Sequence, residues 1–350
     1  MDFGDYFTRQ EIAKIIKEQT GLTHPLIELI EESYDSSGYH NYVKSNTVTA
    51  FQRVKLSNQQ WLLKKRKNVL EKDRFNASAA LGEFRCYSAL IDTFGKNIVK
   101  PISETDTPTP DFMLDYNGDN IYIEVNTVQM NNEEAKRLSD FNRKGQGEVI
   151  REICYCPFGN KSGYSTTQTV IRKIYNVKTD SLQLQKGKIN ILWIDLQDGY
   201  MRTICDRIDR FAPIISGRHI GGAIEGFYSN ELWYALYSTK SLAVFEGETM
   251  NAEEGKEHSL GKIGYDGKFA NDEYSYINAV IYAGAKSVII CENPYAQTTL
   301  PDWFLKKITE MQGFRVESAI FNFMKNDITL KIQNDLKYVE ELSKNTFYSW

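Results

Sequence analysis

Residues 110–126 read PDFMLDYNGDNIYIEVN, and the Asn117-Gly118 pair between two alternating apolar segments decides how they fold. Asn-Gly flanked by such alternation is the strongest short-range hairpin signal, because both turn positions need a positive φ. With a two-residue loop, Tyr116 faces Asp119 and Asp111 falls opposite Glu124. Opposed residues share a face, with Cβ atoms about 4.5–5.5 Å apart. Asn126 shares that face, since side chains alternate with period two. Phe112, Leu114, Ile121, Ile123 and Val125 take the other face. A four-residue loop would pair Asp111 with Asn126 and still keep the three polar residues together; a three-residue loop without a bulge would not. Two carboxylates this close repel unless a cation sits between them. Magnesium, which takes hard oxygen ligands, suits the position. The competing reading is two ordinary surface acids at strand ends.

Outward from the hairpin, Ala80, Phe84, Tyr87, Ile91 and Phe94 fall at helical spacing and stop at Gly95. Helical periodicity also marks the first 35 residues (Ile12, Ile15, Ile16; Leu26, Ile27, Leu29, Ile30), whereas 47–63 reads as either strands or a helix. Downstream, a helix is expected over 165–178. The nearly continuous apolar run INILWIDL (189–196) reads as a buried strand, with INAVIYA (277–283) and SVIICEN (287–293) as further apolar segments. Residues 246–275 read as a long loop or insertion. Strands alternating with helices indicate an α/β or α+β sheet protein.

Length and composition agree with that reading. The chain has 350 residues, 41% hydrophobic and 25% charged, enough for one large domain or two modest ones. No apolar run approaches the roughly 18 residues of a membrane span, and the start MDFGDYFTRQ has no signal pattern. Five scattered cysteines exclude a disulfide scaffold and point to a cytoplasmic setting. The net charge of −4 is unevenly spread: residues 41–75 hold nine Lys or Arg against two Asp or Glu. That segment includes Lys64, Lys65, Arg66 and Lys67, which read either as phosphate contacts or as a solvated helix face.

Together, Pro110-Asp111, the hairpin and Glu124-Val125-Asn126 resemble the PD-(D/E)xK nuclease superfamily, the fold of many restriction endonucleases. The resemblance implies a mixed β-sheet core flanked by helices over 76–300, with the insertion near 246–275. A helical and basic extension (1–75) would precede this core, and a C-terminal segment (301–350) would pack on it. It implies Mg²⁺ held by Asp111, Glu124 and the Val125 carbonyl, with Glu83 supporting a second metal or orienting ligands. Double-stranded DNA would be the substrate, and a homodimer would supply two sites for two strands. Where the family places lysine, this chain has Asn126, which can position a water but carries no charge. Lys173, Lys178 or Arg85 could substitute. Alternatively, catalysis has decayed and a nucleic-acid-binding protein remains; a third class is an interaction protein unrelated to nucleic acid. The four histidines, with no ligand spacing, read as surface or loop residues, and the glycine-rich 217–226 as an ordinary loop.

Overall fold

In a computed structural model of the chain, Asn117 and Gly118 take φ of 53° and 91° and close a two-residue turn. On either side, β2 (Phe112–Tyr116) pairs antiparallel with β3 (Asp119–Thr127), Tyr116 opposite Asp119 and Phe112 opposite Ile123. This is the register of the two-residue loop. The structure describes residues 3–19, 23–31, 39–103, 108–129, 183–184, 186–198, 216–220, 223–228, 235–237, 243–251, 255–262, 266–270 and 272–319. The helix expected over 165–178 lies outside them, as do Lys173 and Lys178.

Around the hairpin grows a seven-stranded mixed sheet. Its other strands are β1 (Val99–Pro101), β4 (Ile189–Asp195), β9 (Ala279–Ala283), β10 (Ser287–Glu292) and β11 (Arg315–Ala319), in the order β1-β2-β3-β4-β9-β10-β11. Strands β3, β4 and β9 run parallel, whereas β10 is antiparallel to β9 and parallel to β11. The near-continuous apolar sequence of β4 follows from burial on both faces. Trp193, 1% exposed, is among its largest side chains. Trp193→Ala is expected to cost about 3–5 kcal/mol through the cavity it leaves, and an unchanged denaturation midpoint would contradict this placement.

One face of the sheet is covered by helices. Helix α5 (Arg74–Phe94) starts at Asp73, whose Oδ1 accepts from the Phe75 and Asn76 N–H groups, and ends at Gly95 with φ +91°. Residues 47–63 are helical, split between α3 (Tyr39–Ser57) and α4 (Gln59–Val69), with Asn58 capping the second. Aromatic rings lock the layer together. Phe51 stacks on Phe84 at 4.2 Å between centroids, Trp61 meets Phe84 edge-on at 5.0 Å, and Tyr87 stacks on Phe112 at 5.1 Å. The short helices α1 (Arg9–Glu18) and α2 (Pro25–Ile30) complete the amino-terminal part. His24, expected at the surface, is instead a buried cap: its Nδ1 accepts from the Leu26 N–H and its Nε2 lies 3.0 Å from the Glu71 carbonyl. After β10 comes α6 (Asp302–Thr309), where Phe304 stacks on Phe94 at 5.4 Å.

The chain divides into two compact units. The first, Met1–Gln129, Lys178–Asp209 and Ser275–Ile320, holds the sheet and α1–α6, so the residues read as an extension belong to the same unit as the sheet. The second comprises Met130–Val177, Arg210–Tyr274 and Phe321–Trp350. Its described part contains two antiparallel ribbons, β5 (Ser216–Ile220) with β6 (Ala223–Tyr228), and β7 (Ala243–Asn251) with β8 (Gly255–Lys262). The loop reading of 246–275 therefore gives way to a hairpin followed by short 3₁₀ turns. Charge and glycine suggested a loop, yet a two-stranded ribbon is held by backbone ladder hydrogen bonds, which those residues also supply. Strands β5 and β6 likewise replace the loop expected at 217–226.

Candidate active site

Asp111 stands one residue before β2. Its N–H donates to the Ile123 carbonyl (3.1 Å), and its Oδ2 accepts from the Val125 N–H (2.8 Å). The N–H and C=O of one strand residue project to the same side, so the Val125 carbonyl faces the Asp111 edge as well. The ladder ends at Phe112 opposite Ile123, so Asp111 lies outside its register and the expected Asp111–Glu124 pair is not part of it. Glu124, the next residue of β3, has its side chain fully buried, and Asn126 is half-buried on the face of Glu124. Phe112, Leu114, Ile121 and Ile123 are wholly buried on the other face, against α5.

A second set of residues approaches from the helices. A polar cleft of about 520 Å³ is lined by Trp61, Lys64, Lys65, Glu83, Asp111 and Gln183, among others. Inside it Lys65, only 8% exposed, holds Glu83 with Nζ 2.6 Å from Oε2. The nearby Cys86 thiol is pushed well above its ordinary pKa, first by burial and then by the negative charges of Asp111, Asp195 and Glu83. The arrangement thus brings Asp111 and Glu83 to one cleft. Glu124 and Asn126 do not line it; they occupy the sheet face away from α5.

The basic run does not act as one patch. Successive helical residues step by about 100°, and α4 sends these four in different directions. Lys64 and Lys67 are exposed, Lys65 turns inward to Glu83, and Arg66 turns back on α1. Arg66 Nη2 lies 2.5 Å from Glu11, its Nε donates to the Tyr6 carbonyl (2.7 Å), and its guanidinium sits over the Phe7 ring.

Magnesium suits the ligand types at the hairpin. A carboxylate has about four lone-pair positions, and Asp111 Oδ2 meets the Val125 N–H with one of them. Among the described residues no group of three or more His, Cys, Asp or Glu side chains gathers at metal-holding distance. Asp111 with the Val125 carbonyl supplies oxygen ligands of the kind magnesium takes, since the ion keeps waters and takes substrate oxygens. In the structure Glu83 is the partner of Lys65, on the helix side of the sheet.

The sequence reading missed a buried ionic axis along α5. Arg85 grips Asp195 with two bonds, Nε to Oδ1 (3.0 Å) and Nη2 to Oδ2 (2.6 Å), and reaches Thr47 Oγ1 at 3.2 Å. It is thereby committed to the fold. Three turns earlier, Arg74 meets Glu28 (3.1 Å) and Asp198 (3.3 Å), and Ser78 donates to Asp198. Gly82 lets the helix come this close, because a Cβ there would lie 2.1 Å from Thr127 Oγ1. The available signal was two acids, Asp195 and Asp198, directly after an apolar strand. Against known proteins, no family model, no curated protein and no solved structure matches this chain.

Proposed function

We propose that this protein is a magnesium-dependent DNA endonuclease that hydrolyses phosphodiesters in the manner of a restriction enzyme. The observation that supports the reading is the Asp111 carboxylate, held by the Val125 N–H at the end of the hairpin in a cleft that it shares with Glu83, Lys64 and Lys65. Asp111, Glu124 and the Val125 carbonyl would hold Mg²⁺, which when bound polarises the scissile phosphate and lowers the pKa of a coordinated water. The Val125 N–H fixes the Asp111 carboxylate in place before substrate arrives. Lys64 and Lys65 supply the cationic contacts to phosphate that an amide at Asn126 cannot, and Asn126 orients the attacking water. Glu83 orients Lys65. Double-stranded DNA as substrate, a cytoplasmic setting and a homodimer complete the proposal. Among the described residues, no helix is long and apolar enough to cross a membrane.

A second reading, an inactive nuclease-like module that binds nucleic acid, is favoured by the uncharged Asn126 and by the ion pair that offsets Lys65. Plasmid cleavage in Mg²⁺ separates the two readings, and salt dependence tests the binding surface common to both. Replacing the exposed Lys64 and Lys67 with alanine should reduce the slope of log K against log salt by roughly 0.9 for each phosphate that is no longer neutralised. Arg66→Ala should leave the slope unchanged and lower stability, because Arg66 is engaged with Glu11 and Tyr6. A slope unaltered by removing Lys64 and Lys67 would take both residues out of the DNA interface.

A further inference from the structure

Helix α4 is anchored on one side and open on the other. Leu62, Lys65 and Val69 are buried, Trp61 meets Phe84 and Tyr87 edge-on at 5.0 and 4.9 Å, and Arg66 is tied to Glu11 and Tyr6. At about 100° per residue, the exposed Gln59, Leu63, Lys67, Gln60 and Lys64 follow one another around an arc of about 140°. The open side is therefore a single face, presented by a helix whose other side is fixed to the fold.

The chemistry of this face narrows its partner. It carries no acid, and residues 55–70 contain none at all. Among the described residues no carboxylate holds Lys64 or Lys67, and the side-chain amides of Gln59 and Gln60 make no hydrogen bond. Between them Leu63 is 53% exposed. Free cations, free amides and one apolar side chain together complement duplex DNA. Lysines neutralise phosphates, a glutamine amide pairs with adenine N6 and N7 at once, and an apolar side chain meets the thymine methyl. The dimensions agree, since a helix is about 10–12 Å across and the major groove about 12 Å wide. The face is also continuous with the candidate active site, because Gln60 and Lys64 line the cleft that contains Asp111.

We infer that α4 enters the major groove of duplex DNA and reads its sequence. Gln59 and Gln60 contact adenine, Leu63 lies against a thymine methyl, and Lys64 and Lys67 hold the flanking phosphates. The inference rests on the endonuclease reading for its duplex substrate and adds the element that selects the site. Retention of random duplexes by the full chain, in EDTA and again in Ca²⁺, followed by sequencing, measures the preference without a cleavage step. Wild type should enrich a motif that contains adenine. Gln59→Ala and Gln60→Ala should each weaken binding to that motif about tenfold and leave an unrelated duplex bound as before. Lys67→Ala should weaken both duplexes alike, because phosphate contacts carry no sequence information. All three side chains are exposed, so the thermal midpoints should match wild type. A wild type that retains every duplex equally in both solutions, or retains none, overturns the inference. Glutamine variants that keep the wild-type motif and affinity overturn it as well. Plasmid cleavage in Mg²⁺ is scored separately: cleavage beside any of these results leaves the endonuclease reading standing while α4 loses its role.

Discussion

Asp195→Ala is expected to destabilise the protein by about 3–5 kcal/mol, because it strands a buried guanidinium without its counter-charge. Arg85 and Asp195 side chains are 5% and 0% exposed, so solvent cannot replace the lost partner. Their pairing also holds α5 onto the end of β4, with Thr47 of α3 attached through the same guanidinium. Replacing both members by apolar residues of similar volume, Arg85→Met with Asp195→Leu, should recover much of the loss, since what costs most is the unpaired charge. Urea denaturation of the single and double variants beside wild type measures this. A single variant as stable as wild type would mean the pair contributes little to holding helix and sheet together.

The second large effect concerns chemistry. Asp111→Asn and Glu124→Gln keep shape but remove the charges that would attract Mg²⁺. Asparagine at 111 can still accept from the Val125 N–H, so the hairpin should persist. Each variant should lower cleavage on the order of 10²–10³-fold, the equivalent of the several kcal/mol a metal supplies to the transition state. DNA binding should hold or tighten, since a negative charge near phosphate is removed. The companion Asn126→Lys sorts the two functional readings. An enzyme that uses the amide to place water should slow, whereas a decayed site should gain weak Mg²⁺-dependent cleavage.

The hairpin was legible because its determinants are local. Asn117 and Gly118 need positive φ, and the alternation on either side fixes register and face in one step. The α5 stripe and the buried β4 followed from periodicity in the same way. Residues 47–63 were ambiguous for a physical reason: Val, Thr, Phe and Trp favour strands by local preference, and tertiary packing overrides it. Val43, Thr47, Ala50, Phe51 and Val54 are all buried at helical spacing, a stripe that begins before the ambiguous window.

At the site, sequence named Asp111, Glu124 and Glu83, but it could not say which would meet. Strand parity sends Glu124 to the face away from α5, while Glu83 stays on the helix side with Lys65. The basic run misled in the same manner, because four adjacent letters look like a patch although a helix disperses them. The Arg85–Asp195 pair joins residues 110 apart in sequence, and no local pattern encodes such a partner.

The most direct measurement is a time course of supercoiled plasmid with wild-type protein in Mg²⁺, in Mn²⁺ and in EDTA, beside Glu124→Gln. The account predicts nicked and linear product in either metal, none in EDTA, and near-complete loss in the variant. No product from wild type in either metal, with Asp111→Asn and Glu124→Gln binding DNA like wild type, would contradict it and leave the binding module in its place.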